Sequence, residues 1–248
     1  MNWDAQLYDN NHEYVAEYGK GLLEFVPHKP NQAILDLGCG TGTLTAQLAK
    51  MGRCVIGVDS SQNMIDKAKE QYQEIDFMVC DALDLPFENE FDVIFSNAVF
   101  HWIDDHELLL KNIRKALKTG GVLICEFGAA GNIKTIDKAF SEQAMIYGHS
   151  CKSRFNFPAT DTFSQLLKEN HFDIESIYDF DRPTPLNDGE KGLENFIRQF
   201  YASELDSITN ETQEKIIKGT EDRVKEKIWD GSKWVADYRR LRAIAHVQ

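Results

Sequence analysis

With 248 residues, 42% of them hydrophobic and 27% charged, the chain can bury one generous globular core, alone or with a helical subdomain attached. Its 27 basic against 40 acidic side chains give a net charge of −13. That balance, with no basic stripe in the sequence, disfavours nucleic acid and anionic lipid as partners while leaving room for a local basic patch.

No stretch approaches the ~20 apolar residues of a membrane span. The first residues, with Asp4, Asp9, Glu13 and Glu17, lack the basic start and apolar run of a signal peptide. Cys39, Cys54, Cys80, Cys125 and Cys151 are odd in number and form no Cys-x-x-Cys pair. Neither a disulfide framework nor a zinc site is expected, and the compartment reads as cytoplasmic.

From residue 33 onward, short apolar runs alternate with helical patterns. Ala33–Leu37, Cys54–Val58, Ile75–Cys80, Phe91–Ser96 and Val122–Phe127 are continuous rather than alternating, as parallel strands covered on both faces should be. Between them, Leu44 and Leu48 mark a helix over Thr43–Met51, with Gly52 suited to the residue past its end. Ser60 or Ser61 can cap a second helix, whose Met64, Ala68 and Tyr72 share a face. Asp104 or Asp105 starts a third, with Leu109, Ile113 and Leu117 in register and Gly120-Gly121 ending it. Strand–helix alternation of this kind predicts an α/β, doubly wound and mostly parallel sheet with right-handed crossovers.

The later half changes character. Residues 128–158 read as irregular, Phe163–Asn170 as helix and Asp173–Phe180 as strand, with breaks at Pro183 and Pro185. Asn210–Trp229 is a mixed-charge helix with Ile217, Val224 and Ile228 along one seam. Arg240–Val247 alternates well enough to be an antiparallel addition to the sheet. The expected division is a sheet domain over residues 30–127, 160–184 and 238–248, with a helical cover over 1–29, 128–159 and 185–237.

The informative stretch is Ile34-Leu-Asp-Leu-Gly-Cys-Gly-Thr-Gly-Thr43, which leaves a strand and enters a helix. Gly38, Gly40 and Gly42 let backbone approach a ligand and take positive φ. A dinucleotide fingerprint would need glycine where Thr43 stands, the Gly-Lys-Ser/Thr ending of a phosphate loop is absent, and Asp36 would repel a pyrophosphate. Asp59 ends the next strand, where a carboxylate can accept from both hydroxyls of a ribose or, alternatively, cap the helix that follows. Asp81 ends the third, where it can receive an adenine amino group or, alternatively, serve as a turn residue. Together these describe an adenosine ligand without phosphates.

On these motifs, with Trp3-Asp-Ala-x-Leu-Tyr8, Gly57-Val-Asp-Ser-Ser-x-x-Met64, Phe91-Asp-Val-Ile-Phe-Ser-Asn-Ala98, Trp102 and Leu117-x-x-Gly-Gly-Val-Leu123, the sequence resembles the class I S-adenosylmethionine-dependent methyltransferases. Within them it is most similar to the small-molecule branch typified by the trans-aconitate 2-methyltransferases. The resemblance is dense over residues 1–127 and thin afterwards. It implies a seven-stranded, Rossmann-like sheet with the last strand antiparallel, S-adenosylmethionine as cofactor and S-adenosylhomocysteine as product. The implied cofactor set is Gly38, Gly40, Gly42, Asp59, Ser60, Asp81, Ala82 and Asn97, with Asn97 near the transferable methyl and the segment around Tyr8 and His12 over the cofactor.

His101 follows the fourth strand and is the candidate general base; the alternative is a ring packed beside Trp102 and bonded locally. No metal is expected, for want of a ligand cluster. The partner expected is a small-molecule methyl acceptor, a carboxylate among the candidates, with no nucleic acid, no membrane and a monomer favoured. Tyr147, His149, Lys152, Arg154, Phe155 and Phe157 could receive it; alternatively Arg154 pairs within the protein and the aromatics fill a core. The rival functions are a non-catalytic S-adenosylmethionine-binding protein, a nucleotide-dependent oxidoreductase and a methyltransferase acting on a macromolecule.

Overall fold

A computed structural model describes residues 19, 21–29, 31–51, 54–150 and 153–248. Tyr8, His12, Gly52 and Lys152 lie outside the described residues. The chain divides into two compact units, Met1–Ala129 with Pro158–Asp179 and Leu241–Gln248, and Ala130–Phe157 with Phe180–Arg240.

The first unit begins with β1 (Ala33–Leu37), α1 (Thr43–Lys50), β2 (Cys54–Asp59), α2 (Gln62–Gln71) and β3 (Asp76–Val79). It continues through β4 (Phe91–Asn97), α3 (His106–Ala116) and β5 (Leu117–Gly128), and takes up α5 (Thr160–Glu169) and β6 (Phe172–Asp181) after the insertion of α4 (Lys134–Ile146). The strand β9 (Arg239–Val247) closes the chain. The seven strands lie in the order β3-β2-β1-β4-β5-β9-β6, with β1–β2, β2–β3, β1–β4 and β4–β5 all parallel.

Alternation along the strands feeds two cores. Leu35, Leu37, Ile94, Leu123, Cys125 and Phe127 pack with Leu109 and Ile113 of α3, Phe163 and Leu167 of α5, and Ala243 and Ala245 of β9. On the other side, Ile34, Val93, Phe95, Ile124 and Ile244 pack with Leu44 and Leu48 of α1 and with Leu22, Leu23 and Val26. Both faces are therefore dry, which is why these strands read as unbroken apolar runs. Each fully buried Leu, Ile or Phe contributes roughly 1.5–3 kcal/mol.

Two expectations fail here. The third helix stops at Ala116, and Gly120-Gly121 lie within β5 rather than after a helix. Leu117 already pairs with Phe91, and the register slips before Val122 pairs with Val93; Gly120, at φ +74°, takes up the slip. Second, neither serine caps α2 through its hydroxyl. Ser61 holds the cap position without a side-chain cap bond, and its hydroxyl is buried with no hydrogen-bond partner.

The second unit contains α4, β7 (Thr184–Pro185), α6 (Gly192–Phe200), α7 (Ala202–Leu205), α8 (Asn210–Ile228) and β8 (Val235–Ala236). The stretch expected to be irregular thus holds the 13-residue helix α4, which buries Ile136, Ala139, Phe140, Gln143 and Ala144. It packs on α8, which buries Ile216, Ile217, Thr220, Val224 and Ile228. A Cβ on Gly219 would come within 2.3 Å of Gln143 Oε1, so a side chain there would require Gln143 to move aside. Asp237 Oδ2 accepts from the Thr135 N–H at 2.9 Å and so caps the start of α4 from outside the helix.

Candidate functional site

The glycine-rich loop is folded against the end of β2. The N–H groups of Gly38 and Cys39 both donate to Val58 O, at 2.7 and 2.9 Å, and Gly42 N–H donates to Cys39 O at 3.0 Å. Gly38, Gly40 and Gly42 have φ of +76°, +56° and +84°. Their surroundings differ. A Cβ on Gly38 would sit 2.1 Å from Val99 Cγ2, and one on Gly42 would sit 2.7 Å from Phe77 Cζ. Those two glycines are required by the protein's own packing. Beside Gly40 no heavy atom of the described residues lies within 4 Å of a built Cβ, so among them the loop is open there.

Asp59 holds the loop to β2. Its Oδ2 accepts from Gly40 N–H at 3.0 Å and its Oδ1 from Ser61 N–H at 2.9 Å. One carboxylate thus fixes the loop tip and the start of α2, the capping work expected of a serine. Burial raises the Asp59 pKa above the ordinary carboxylate value, and the two N–H donors work against that rise.

Asp36, which sequence reasoning used only to exclude a pyrophosphate, is fully part of this arrangement. It is 2% exposed, and its Oδ2 accepts from Thr45 Oγ at 2.6 Å. Burial, with the Asp59 charge adding to it, pushes its pKa up to about 7 against the pull of Thr45. The signal was an Asp inside an otherwise apolar strand run. The loop itself, residues 38–43, contains no basic side chain.

The remaining positions surround the point where the sheet turns from β1–β2 to β1–β4, the crevice where doubly wound folds take ligands. Asp81 is exposed; its Oδ1 accepts from Leu83 N–H at 2.9 Å, and its carbonyl from Asp84 N–H at 3.0 Å. This is an Asx turn. Ala82 is 9% exposed, and Ser60 is exposed. Asn97 is buried at the end of β4, in register with Glu126 of β5, and the backbone at Gly19 packs directly on its side-chain amide. Ser96 Oγ donates to Leu37 O at 2.8 Å, tying the ends of β4 and β1 together.

His101 lies in a short 3₁₀ turn, Phe100–Trp102, and is 7% exposed. Its Nδ1 accepts from Gly128 N–H at 3.3 Å, and its ring centroid is 5.3 Å from that of Trp102. With Nδ1 an acceptor, the neutral ring carries its hydrogen on Nε2 and offers a donor there. His106 Nε2 lies 2.9 Å from Phe100 O, its ring centroid is 5.9 and 5.8 Å from those of Phe127 and Phe163, and burial lowers its pKa. Deeper still, Glu126 accepts from Arg242 Nε and Nη2 at 3.0 and 2.6 Å through one oxygen, while Arg242 Nη1 donates to Tyr178 OH at 3.1 Å.

In the second unit, Arg154 Nη1 donates to Ser203 Oγ at 3.1 Å, and Ser203 in turn donates to Glu204 at 2.7 Å. Phe155 stacks on Phe157, with centroids 5.2 Å apart, and meets the edge of Tyr201 at 5.9 Å. Tyr147 is 40% exposed. Among the described residues, no group of three or more His, Cys, Asp or Glu could hold a metal ion, and no helix is long and apolar enough to cross a membrane.

Residues 35–125 match the family described as a methyltransferase domain. The uncharacterized methyltransferase C70.08c of Schizosaccharomyces pombe is 32% identical over 98% of this chain and 97% of its own length. The chain is a class I S-adenosylmethionine-dependent methyltransferase. The trans-aconitate 2-methyltransferase of Deinococcus radiodurans is 35% identical, over 52% of this methyltransferase and 50% of its own length. Against that relative, the match spans only about half of either chain. Among solved structures, the phosphoethanolamine N-methyltransferase 2 of Haemonchus contortus, in complex with S-adenosyl-L-methionine, superposes with a TM-score of 0.58. It is 24% identical, over 92% of this chain and 51% of that one. The YcgJ protein of Bacillus subtilis superposes with a TM-score of 0.62 at 15% identity, over 96% and 99% of the two chains. These two likenesses establish the fold of the methyltransferase.

Proposed function

We propose that this methyltransferase holds its cofactor with Gly38, Gly40, Gly42, Asp59, Ser60, Asp81, Ala82 and Asn97, and methylates a carboxylate of a small organic acid in the cytoplasm without a metal. Asp59 carries the reading. Each of its oxygens takes a single backbone N–H, and a carboxylate has about four acceptor positions. Capacity therefore remains for two ribose hydroxyls, in a loop already fixed.

The donor set fits the group. The open side of Gly40 admits a ligand against backbone. Asp36 and Asp59 repel one another, so a phosphate would be expelled and a cationic sulfonium welcomed. The cofactor supplies a methyl group already activated on its sulfonium sulfur. What the chain must add is alignment and a dry pocket.

The acceptor class rests on two supports. Two relatives that match at 35% identity, over about half of their own length, are named trans-aconitate 2-methyltransferases. A carboxylate needs no base, and the Nδ1 of His101 is already engaged by Gly128. The net charge of −13 speaks against a nucleic-acid acceptor. The test is transfer from methyl-labelled cofactor to a panel of di- and tricarboxylates, with and without chelator. Base-labile methyl ester, formed equally in both conditions, is the expected result. Label found only on amines or macromolecules, or turnover abolished by chelator and restored by magnesium, would overturn the reading.

A further inference from the structure

The second unit contains a buried cation, Arg240, for which no ion pair is found among the described residues. Arg240 is 4% exposed, and its Nε is buried with no hydrogen-bond partner. A guanidinium stays ionised in proteins, so burying it unpaired is costly. Three other arginines, of which Arg198 and Arg242 are half-buried and Arg223 is exposed, show how this chain can meet that cost. Arg198 has Glu194 and Glu214, Arg223 has Glu142, and Arg242 has Glu126.

Among the described residues Arg240 has no such pair; its Cζ lies 5.2 Å from the centroid of the Tyr238 ring. The carboxylate nearest in sequence, Asp237, does not serve. Its Oδ2 caps α4, and its Oδ1 has no hydrogen-bond partner at all. A cation–π contact supports a guanidinium but leaves its in-plane N–H groups without acceptors.

We propose that Arg240 is the receptor for a carboxylate of a small organic acid. The planar fork of Arg matches a carboxylate through two parallel hydrogen bonds, and the Tyr238 ring supports the guanidinium. Phosphate, an anion of comparable charge, is the control for binding by charge alone. That the acid is the methyl acceptor rests on the function proposed above; that it binds at Arg240 does not.

The test uses the whole chain without cofactor, with tricarballylate and succinate as probes, followed by melting and calorimetry. In the wild type the acids raise the melting temperature. Arg240→Met removes an unpaired buried charge, so the ligand-free variant melts higher than the wild type and no longer responds to acid. Loss of a charge-assisted pair lowers affinity about ten- to a hundredfold, and Arg240→Lys, which keeps charge but loses the fork, falls between. Binding of S-adenosylhomocysteine is unchanged in both variants.

Three results would overturn the assignment. The first is no response of the wild type to either acid, or a response to phosphate at equal ionic strength as large as that to tricarballylate. The second is equal acid affinity in Arg240→Met. The third is a lower ligand-free melting temperature in both variants, which would show that the chain itself supplies the partner. If the acids bind through Arg240 but are never methylated, the proposed acceptor falls and this site stands.

Discussion

In the first unit the buried Glu126 carboxylate, with 0% side-chain exposure, is met by two nitrogens of Arg242, and that guanidinium lies against the rings of Phe25 and Tyr178. In the second, Arg240 is as deeply buried, its guanidinium lies over the Tyr238 ring, and no carboxylate among the described residues pairs with it. Both residues lie in β9. The difference separates two uses of buried charge. A charge matched within the chain is part of the fold, and removing one partner leaves the other stranded. An unmatched charge costs stability, and the chain keeps it for something that arrives later.

The sharpest way to break this comparison is at Glu126. Glu126→Gln or Arg242→Met should each cost about 3–5 kcal/mol by leaving an uncompensated buried charge or its acceptor. Urea unfolding measures this directly. A loss below about 1 kcal/mol in either variant would place the pair with weak surface bridges and dissolve the contrast with Arg240.

A smaller effect sharpens it from the acidic side. Asp36 has its pKa pushed from 3.8 to about 7, so the folded chain binds this proton more tightly than the unfolded chain does. Stability from this group is present below pH 3.8 and is lost as pH rises towards about 7. The swing is roughly 2–4 kcal/mol. Asp36→Asn keeps an acceptor for Thr45 and removes the ionisation, so its unfolding free energy should vary less with pH over that window. Parallel pH profiles for wild type and variant would contradict the raised value.

Legibility in the sequence follows the same division. The strands of the first unit were plain because both faces are dry, and the loop was plain because backbone with positive φ demands glycine. Two things were hidden even there. Gly120 resembles a helix stop, yet it serves a slip in strand register that depends on Phe91, a residue on another strand. Asp59 reads as a ribose ligand or a cap for the next helix, but its hold on Gly40 depends on how β1 and β2 lie together.

In the second unit, α4 was obscured by the glycines and asparagines around it, although Ile136, Phe140 and Ala144 recur at helical spacing. Arg240 was invisible. Its alternation in β9 placed it on the wetter face, and nothing local reveals that no carboxylate comes to meet it.

The account stands or falls on the loop and its carboxylate. S-adenosylhomocysteine titrated calorimetrically into the wild type and into Asp59→Ala, with NAD as a control, tests that claim most directly. The account predicts binding of S-adenosylhomocysteine and none of NAD. It also predicts an affinity about ten- to a hundredfold weaker in the variant, the equivalent of losing roughly 1.5–3 kcal/mol of hydrogen bonding to a charged group. A folded Asp59→Ala that binds S-adenosylhomocysteine as tightly as the wild type would contradict it.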